Sequence, residues 1–267
     1  MRSKFILFVL LGCFTYWGTA QEVLDSTDFD ASKIIGKASK NDTRFDEATT
    51  LFRNEISGGV LAHTQGWGLN FRKAKQLTVD KKRFWNIDAL TVKHPKEYKT
   101  FNQFGDGNKG YVFGKKFSVL NVRMALGMQN IIYQKESKKG VQISYVYMAG
   151  ASIAFLKPVY LQVAVQGADR NNRFIEQRYN EDEHTQDEIR GRASVLRGLN
   201  ELNVYPGGHA KFGLNFEYAP EQELLRAMEV GVALDYYGRK VPIMAFIDNT
   251  SYFFTFYLGW HFGKKSY

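Results

Sequence analysis

From Ser251 to Gly263 the chain alternates between two kinds of side chain. Tyr252, Phe254, Phe256, Leu258, Trp260 and Phe262 make one set; Ser251, Phe253, Thr255, Tyr257, Gly259, His261 and Gly263 make the other. A period of two predicts a β-strand whose faces meet different surroundings. The same rhythm recurs upstream over 58–72, 84–93, 117–130, 141–156, 209–218 and 228–236. Val159–Gln166 follows Lys157-Pro158 and supplies an eighth segment. Proline cannot donate to a ladder, so Pro95, Pro158 and Pro220 mark ends and turns. Long polar loops are expected over 94–116 and 167–207.

Alternation suits both a soluble β-protein and a membrane barrel; the two differ in which face meets water. Gly66, Gly68, Gly127, Gly150, Gly213, Gly231, Gly259 and Gly263 all share the polar face of their strands, and the pattern leaves the apolar face without strand glycines. Glycine weakens a strand, and a narrow barrel interior supplies the reason for it: about eight strands leave little room inside. Asp88, Glu217, Glu229 and Asp235 lie on the same face as Arg72, Arg123 and Lys211. Buried charges must be paired. The expectation is therefore an all-β fold: an antiparallel transmembrane β-barrel with long loops. Asp88, Arg123, Lys211, Glu217, Glu229 and Asp235 would form its interior polar network. Even parity favours eight strands, with ten as the next count; a split of the first strand near Thr64-Gln65-Gly66, or a strand upstream of Gly58, is another route to parity.

The N-terminus refines the compartment. Met1-Arg2-Ser3-Lys4 precedes an apolar run from Phe5 to Leu11, and Gly18-Thr19-Ala20 has small residues at the positions a signal peptidase reads. Residues 1–20 are expected to be a signal peptide, 21–56 an exposed N-terminal segment and 57–267 the barrel domain. Leu10-Leu11-Gly12-Cys13 also resembles a lipidation site, but the apolar residues after it favour cleavage after Ala20. Cleavage removes Arg2 and Lys4, lowering the formal net charge from +9 to +7, together with the one cysteine. No disulfide framework is then expected. Aromatic residues reach 15% while mean hydropathy is −0.35, as when apolar residues alternate rather than cluster.

Gly259, Trp260 and Phe262 carry a family resemblance. The chain resembles the small β-barrel proteins of Gram-negative outer membranes, whose last strand bears a glycine followed by alternating aromatic or apolar residues. The resemblance implies an outer-membrane location and recognition of this segment by the barrel-assembly machinery. The tail Gly263–Tyr267 departs from the pattern, since many such proteins end on the aromatic.

Candidate chemistry is sparse. Gly105, Gly107 and Gly110 match a dinucleotide fingerprint, but Tyr111-Val112-Phe113 leads into a strand where the motif needs a helix. Glu181, Asp182, Glu183, His184, Asp187 and Glu188 could supply oxygen ligands, yet a loop charge run reads more simply as solvated. His209 and His261 fall on the polar face, where a neighbouring carboxylate would satisfy them. No catalytic group, cofactor or metal is expected. Clustered basic residues such as Lys73, Lys75, Lys81 and Lys264 point to outer-membrane lipids and lipopolysaccharide phosphates, not nucleic acid. The expected function is a non-enzymatic barrel whose loops bind a partner or support envelope assembly. A lipid-modifying hydrolase or acyltransferase and a narrow solute channel are the alternatives.

Overall fold

The computed structural model describes residues 54–101, 110–135, 140–166, 172–181, 183–186, 188–219 and 223–266. The expected signal peptide with Cys13, most of the segment 21–56, and Gly105 and Gly107 of the glycine motif lie outside them.

In chain order the strands are β1 (Asn54–His63), β2 (Gly66–Thr78), β3 (Lys81–Val92), β4 (Lys99–Thr100), β5 (Tyr111–Val112), β6 (Phe117–Tyr133) and β7 (Gln142–Pro158). They continue as β8 (Tyr160–Gln166), β9 (Asn172–Arg178), β10 (Ile189–Arg192), β11 (Asn203–Glu217), β12 (Leu224–Tyr237) and β13 (Tyr252–Ser266). Eight of them close an antiparallel barrel in the order β1-β13-β12-β11-β7-β6-β3-β2. The last strand seals against the first, from Asn54 opposite Ser266 to His63 opposite Tyr257. Closure leaves no open sheet edge, and every spanning backbone group can pair within the barrel.

The barrel is inside-out relative to a water-soluble protein. Asp88 and Glu229 are 0% exposed and Arg123 is 2% exposed, whereas Leu126, Phe256 and Trp67 are 70%, 59% and 57% exposed. Such a band of outward aromatic and aliphatic side chains around a charged interior requires an apolar solvent, and the chain is a transmembrane β-barrel.

The count of eight stands, but two assignments change. The expected strand 58–72 is the β1–β2 hairpin, turning at Thr64-Gln65. Its inward residues are odd-numbered before the turn (Ser57, Leu61) and even-numbered after it (Asn70, Arg72). That flip of parity is what a single-strand reading passes over. Gly66, at φ 155°, takes the sharp exit from this turn. Val159–Gln166 is not a barrel strand. Both edges of β7 are already taken, one by β6 and the other by β11 along 15 residues from Asn203 opposite Leu156 to Glu217 opposite Gln142. With seven residues, β8 is also shorter than the roughly 9–11 a spanning strand needs. It pairs instead with β9 and β10 in a separate three-stranded sheet.

Three smaller differences concern edges. The barrel begins at Asn54, so Glu55 belongs to the wall rather than to an exposed segment. The tail through Ser266 continues β13. Two glycines, Gly58 and Gly208, sit on the outward face, contrary to the expected tally. In register, Gly58 lies between Phe71 and Phe262, and Gly208 lies between Ala151 and Tyr236. Each gives room to aromatic neighbours on the same face.

The two barrel ends are unlike. One carries Asn54 and Ser266 with the connections 79–80, 134–141 and 218–223; the other carries 64–65, 93–116, 159–202 and 238–251. These are called the turn end and the loop end below.

Candidate functional site

Strand alternation sends a charged residue inward from most walls, and the narrow interior brings those charges into contact. Arg123 on β6 reaches across to Asp235 on β12, with Nε donating to Oδ1 at 2.9 Å and a second bond from Nη2 to Oδ2. Asn121 donates to the same carboxylate at 3.3 Å. Glu229 is the hub of a second group. It accepts from Arg72 Nη1 at 2.8 Å and from the Tyr257 hydroxyl at 3.0 Å, with Lys211 Nζ 3.2 Å away. Lys211 also lies 3.8 Å from Asp88, which accepts from Asn70 and, at 2.8 Å, from Asn86. Nearer the turn end, Glu217 takes Lys265 at 2.6 Å and Lys135 at 3.0 Å, and Lys82 donates to Glu55 at 2.7 Å.

All six residues expected in an interior network thus face the lumen, in three groups: Arg123 with Asp235; Lys211 with Asp88 and Glu229; and Glu217 alone among the six. Its partners are Lys135, just past the end of β6, and Lys265, in the segment expected to be a tail. Lys82 and Glu55 were missed in the same way, because each stands next to an element boundary. The uncharged Asn70, Asn86 and Asn121 carried a signal, since they share the parity of the charged set.

The two inward histidines are not satisfied as expected. His261 Nε2 is 3.7 Å from Glu229 Oε2, beyond a hydrogen bond, and no protein group bonds either ring nitrogen of His261 or His209. Arg72 and Lys211 surround Glu229 more closely and take its lone pairs. Among the described residues no hydroxyl is hydrogen-bonded to either of these histidines.

The loop end is folded rather than open. Val241, Ile243 and Met244 from the 238–251 connection turn into the barrel mouth and pack with Phe117, Leu156 and Tyr237. Asn249 holds this turn: its Oδ1 accepts from the amides of Ile243 and Met244 at 3.0 and 3.3 Å, and its Nδ2 donates to Met244 O at 2.9 Å. Above it, Leu161, Val163, Tyr179 and Ile189 of the small sheet and its flanks form a second core with Tyr111 and Ala245. Burial, and after it the Glu181 carboxylate, pushes the Tyr179 phenol above its ordinary pKa. The remaining loops are tied in by Lys115–Glu97 at 2.6 Å and Lys116–Glu181 at 2.8 Å.

Glu181, His184 and Glu188 of the acidic loop have partners within the protein. Glu181 is committed to Lys116, Glu188 accepts from the Thr185 amide, and buried His184 bonds Gln177 and the Asn180 amide. Asp182 and Asp187 lie outside the described residues, and among those described no metal-binding group of side chains forms. Gly110, the described glycine of the 105–110 motif, leads directly into β5.

At the turn end the outward face carries a basic row. Lys73, Lys75, Lys81, Arg83, Arg226 and Lys264 are all exposed there. Trp260 and Phe262 point outward on β13 and Gly259 points inward, beside β1.

No family model matches the chain, and no curated protein matches it. Similar solved structures include neisserial surface protein A, with 8% identity and a TM-score of 0.37 over 79% of this chain and 95% of that one. The attachment invasion locus protein Ail of Yersinia pestis matches at 7% identity and a TM-score of 0.35, over 79% and 97% of the two chains. The complex of Ail with the heparin analogue sucrose octasulfate matches at 11% and 0.35, over 80% and 96%.

Proposed function

We propose that this chain is a closed, non-enzymatic outer-membrane anchor that displays a folded platform at its loop end for binding an envelope or surface partner. The observation that supports this is the second core around Leu161, Tyr179 and Ile189, outside the barrel wall. A barrel that only spanned the membrane would need short connections. Here the longest connections fold into a sheet of their own, and function commonly sits on loops held by a rigid scaffold. Short turns at one end and long loops at the other favour a turn end in the periplasm and a platform outside. The basic row then faces the phosphates of the periplasmic leaflet. Gly259, Trp260 and Phe262 are the segment offered to the barrel-assembly machinery.

The platform can be removed without touching the wall, because the Ala193 amide bonds Tyr160 O at 3.1 Å and the excision points are adjacent. Replacing 161–192 by a short Gly-Ser turn should leave heat-shifted gel mobility intact, the sign of a folded barrel. The same variant should fail to restore detergent resistance to a deletion strain. Full restoration by the excised chain would refute the platform as the working surface.

A further inference from the structure

We infer that residues 194–204 form a membrane-interface anchor, a rigid loop that rests its leucines in the leaflet at the loop end and offers cations to phosphate-bearing lipid there. The loop joins β10 to β11 and holds a 3-10 turn at Leu199–Glu201. Val195, Leu196, Leu199 and Leu202 are 58%, 74%, 47% and 41% exposed, a density of free aliphatic surface that water does not favour.

Their presentation is built. Lys157 Nζ binds the carbonyls of Val195 and Arg197, at 2.5 and 3.2 Å. Arg197 N bonds Ser194 O, Glu201 N bonds Gly198 O, and the Glu201 carboxylate is held by the Tyr160 hydroxyl at 2.6 Å. Gly198, at φ 83°, turns the chain against Pro158 and Tyr160. The loop therefore cannot bury its leucines by folding back.

Its position identifies what covers them. Lys157 follows the inward Leu156 and stands on the outward face of β7, so the loop it grips lies against the outer wall. Directly below, Leu120, Phe155 and Val204 are neighbours in register on that same face, with Val204 48% exposed. The patch is thus continuous with the lipid-facing belt. From Tyr145 to Phe155 the outward face of β7 covers the length of a spanning strand, which sets the loop at the boundary. Three cations border it: Lys157, Arg197 and Arg239, the last donating to Val204 O at 3.2 Å. Besides Glu201, the Glu176 carboxylate lies 3.9 Å from Arg197. Exposed aliphatic side chains bordered by cations match the acyl chains and phosphates of one lipid surface.

The inference rests on the transmembrane reading, and the test separates the two. In a Cys13→Ser background, single cysteines replace Leu199, Phe256 or Phe246 and carry an environment-sensitive fluorophore. The full chain is placed in nanodiscs of phosphatidylethanolamine and phosphatidylglycerol, with heat-shifted mobility verifying each fold. Position 256, on the outward belt, should be quenched by lipids spin-labelled deep in the chain. Position 246, an exposed phenylalanine on the mouth, should stay unquenched. Position 199 should shift to shorter wavelength and be quenched by lipids spin-labelled near the headgroup, more strongly as the phosphatidylglycerol share rises. Replacing Arg197 and Arg239 by Gln, with Lys157 kept to hold the loop, should weaken that dependence. Quenching at 256 with a water-exposed 199 would overturn the anchor alone; no quenching at 256 would overturn the membrane placement. Protection of 199 that depends on protein concentration would assign the patch to a second copy and overturn the lipid reading.

Discussion

Glu229 concentrates the logic of the interior in one side chain. It is fully buried, and Arg72, Lys211 and Tyr257 all depend on it. Removing one member of a buried pair leaves its partner charged in a low-dielectric interior, and the loss exceeds what the pair contributed. Glu229→Leu should therefore cost about 3–5 kcal/mol, read as a lower urea midpoint in lipid vesicles. Glu217→Gln should cost less, because Lys135 and Lys265 are 19% and 13% exposed and can turn toward water. Outside the membrane, His94 makes a pH-dependent contact. Burial, and then nearby Lys96, holds its pKa below the ordinary 6.5, while Glu97 opposes the shift. Its Nδ1 accepts from the Lys96 amide at 3.2 Å, which the neutral ring alone can do. A histidine pKa lowered by folding means that the unfolded loop binds the proton more readily. The contribution is complete above pH 6.5 and is lost as pH falls through the lowered folded pKa. The protection factor of the Lys96 amide, its exchange rate relative to an unstructured peptide at the same pH, should fall over that acidic window and stay flat above it.

Among elements, the strands show how glycine position follows from geometry. A Cβ on Gly150 would come within 2.6 Å of Ala125 Cα, and one on Gly231 within 2.6 Å of Gly213 Cα. On outward Gly208 the nearest atom would be Gly150 O at 3.7 Å, an ordinary contact. Gly231→Val should block formation of the heat-shifted species, whereas Gly208→Ala should form it at the wild-type yield. The inward positions are legible from sequence as glycines that share parity with charges. The outward pair is not, because the pattern does not reveal that Phe71 and Phe262, or Ala151 and Tyr236, flank them from other strands. β8 illustrates the same limit. Its alternation is genuine, with Leu161 and Val163 buried on one side, but periodicity reports a two-faced strand and does not identify its neighbours.

At the scale of the molecule, the lumen is closed twice, by ion pairs along its length and by Val241, Ile243 and Met244 at the mouth. Eight strands leave an interior that side chains fill. The purified chain should give no discrete current steps in planar bilayers, and removing the 238–251 turn should not open it, because the Arg123–Asp235 and Arg72–Glu229 layers remain. Stepwise conductance in the intact chain would contradict this packing and favour a solute pathway.

The alternation from Tyr252 to Phe262, repeated along the chain, was enough to specify strands with unlike faces and a charged interior. Those properties reside in local order, since the side-chain period of a strand is two whatever it pairs with. Which strands pair, which carboxylate serves Arg72, and which loop fills the mouth depend on residues as far apart as Arg72 and Glu229. Only closure of the barrel brings such residues within reach. Closure also converted Glu55, Lys82 and Lys265 from boundary residues into ion-pair partners inside the barrel, and it sent Tyr160–Gln166 out of the wall because β7 had no free edge to offer it.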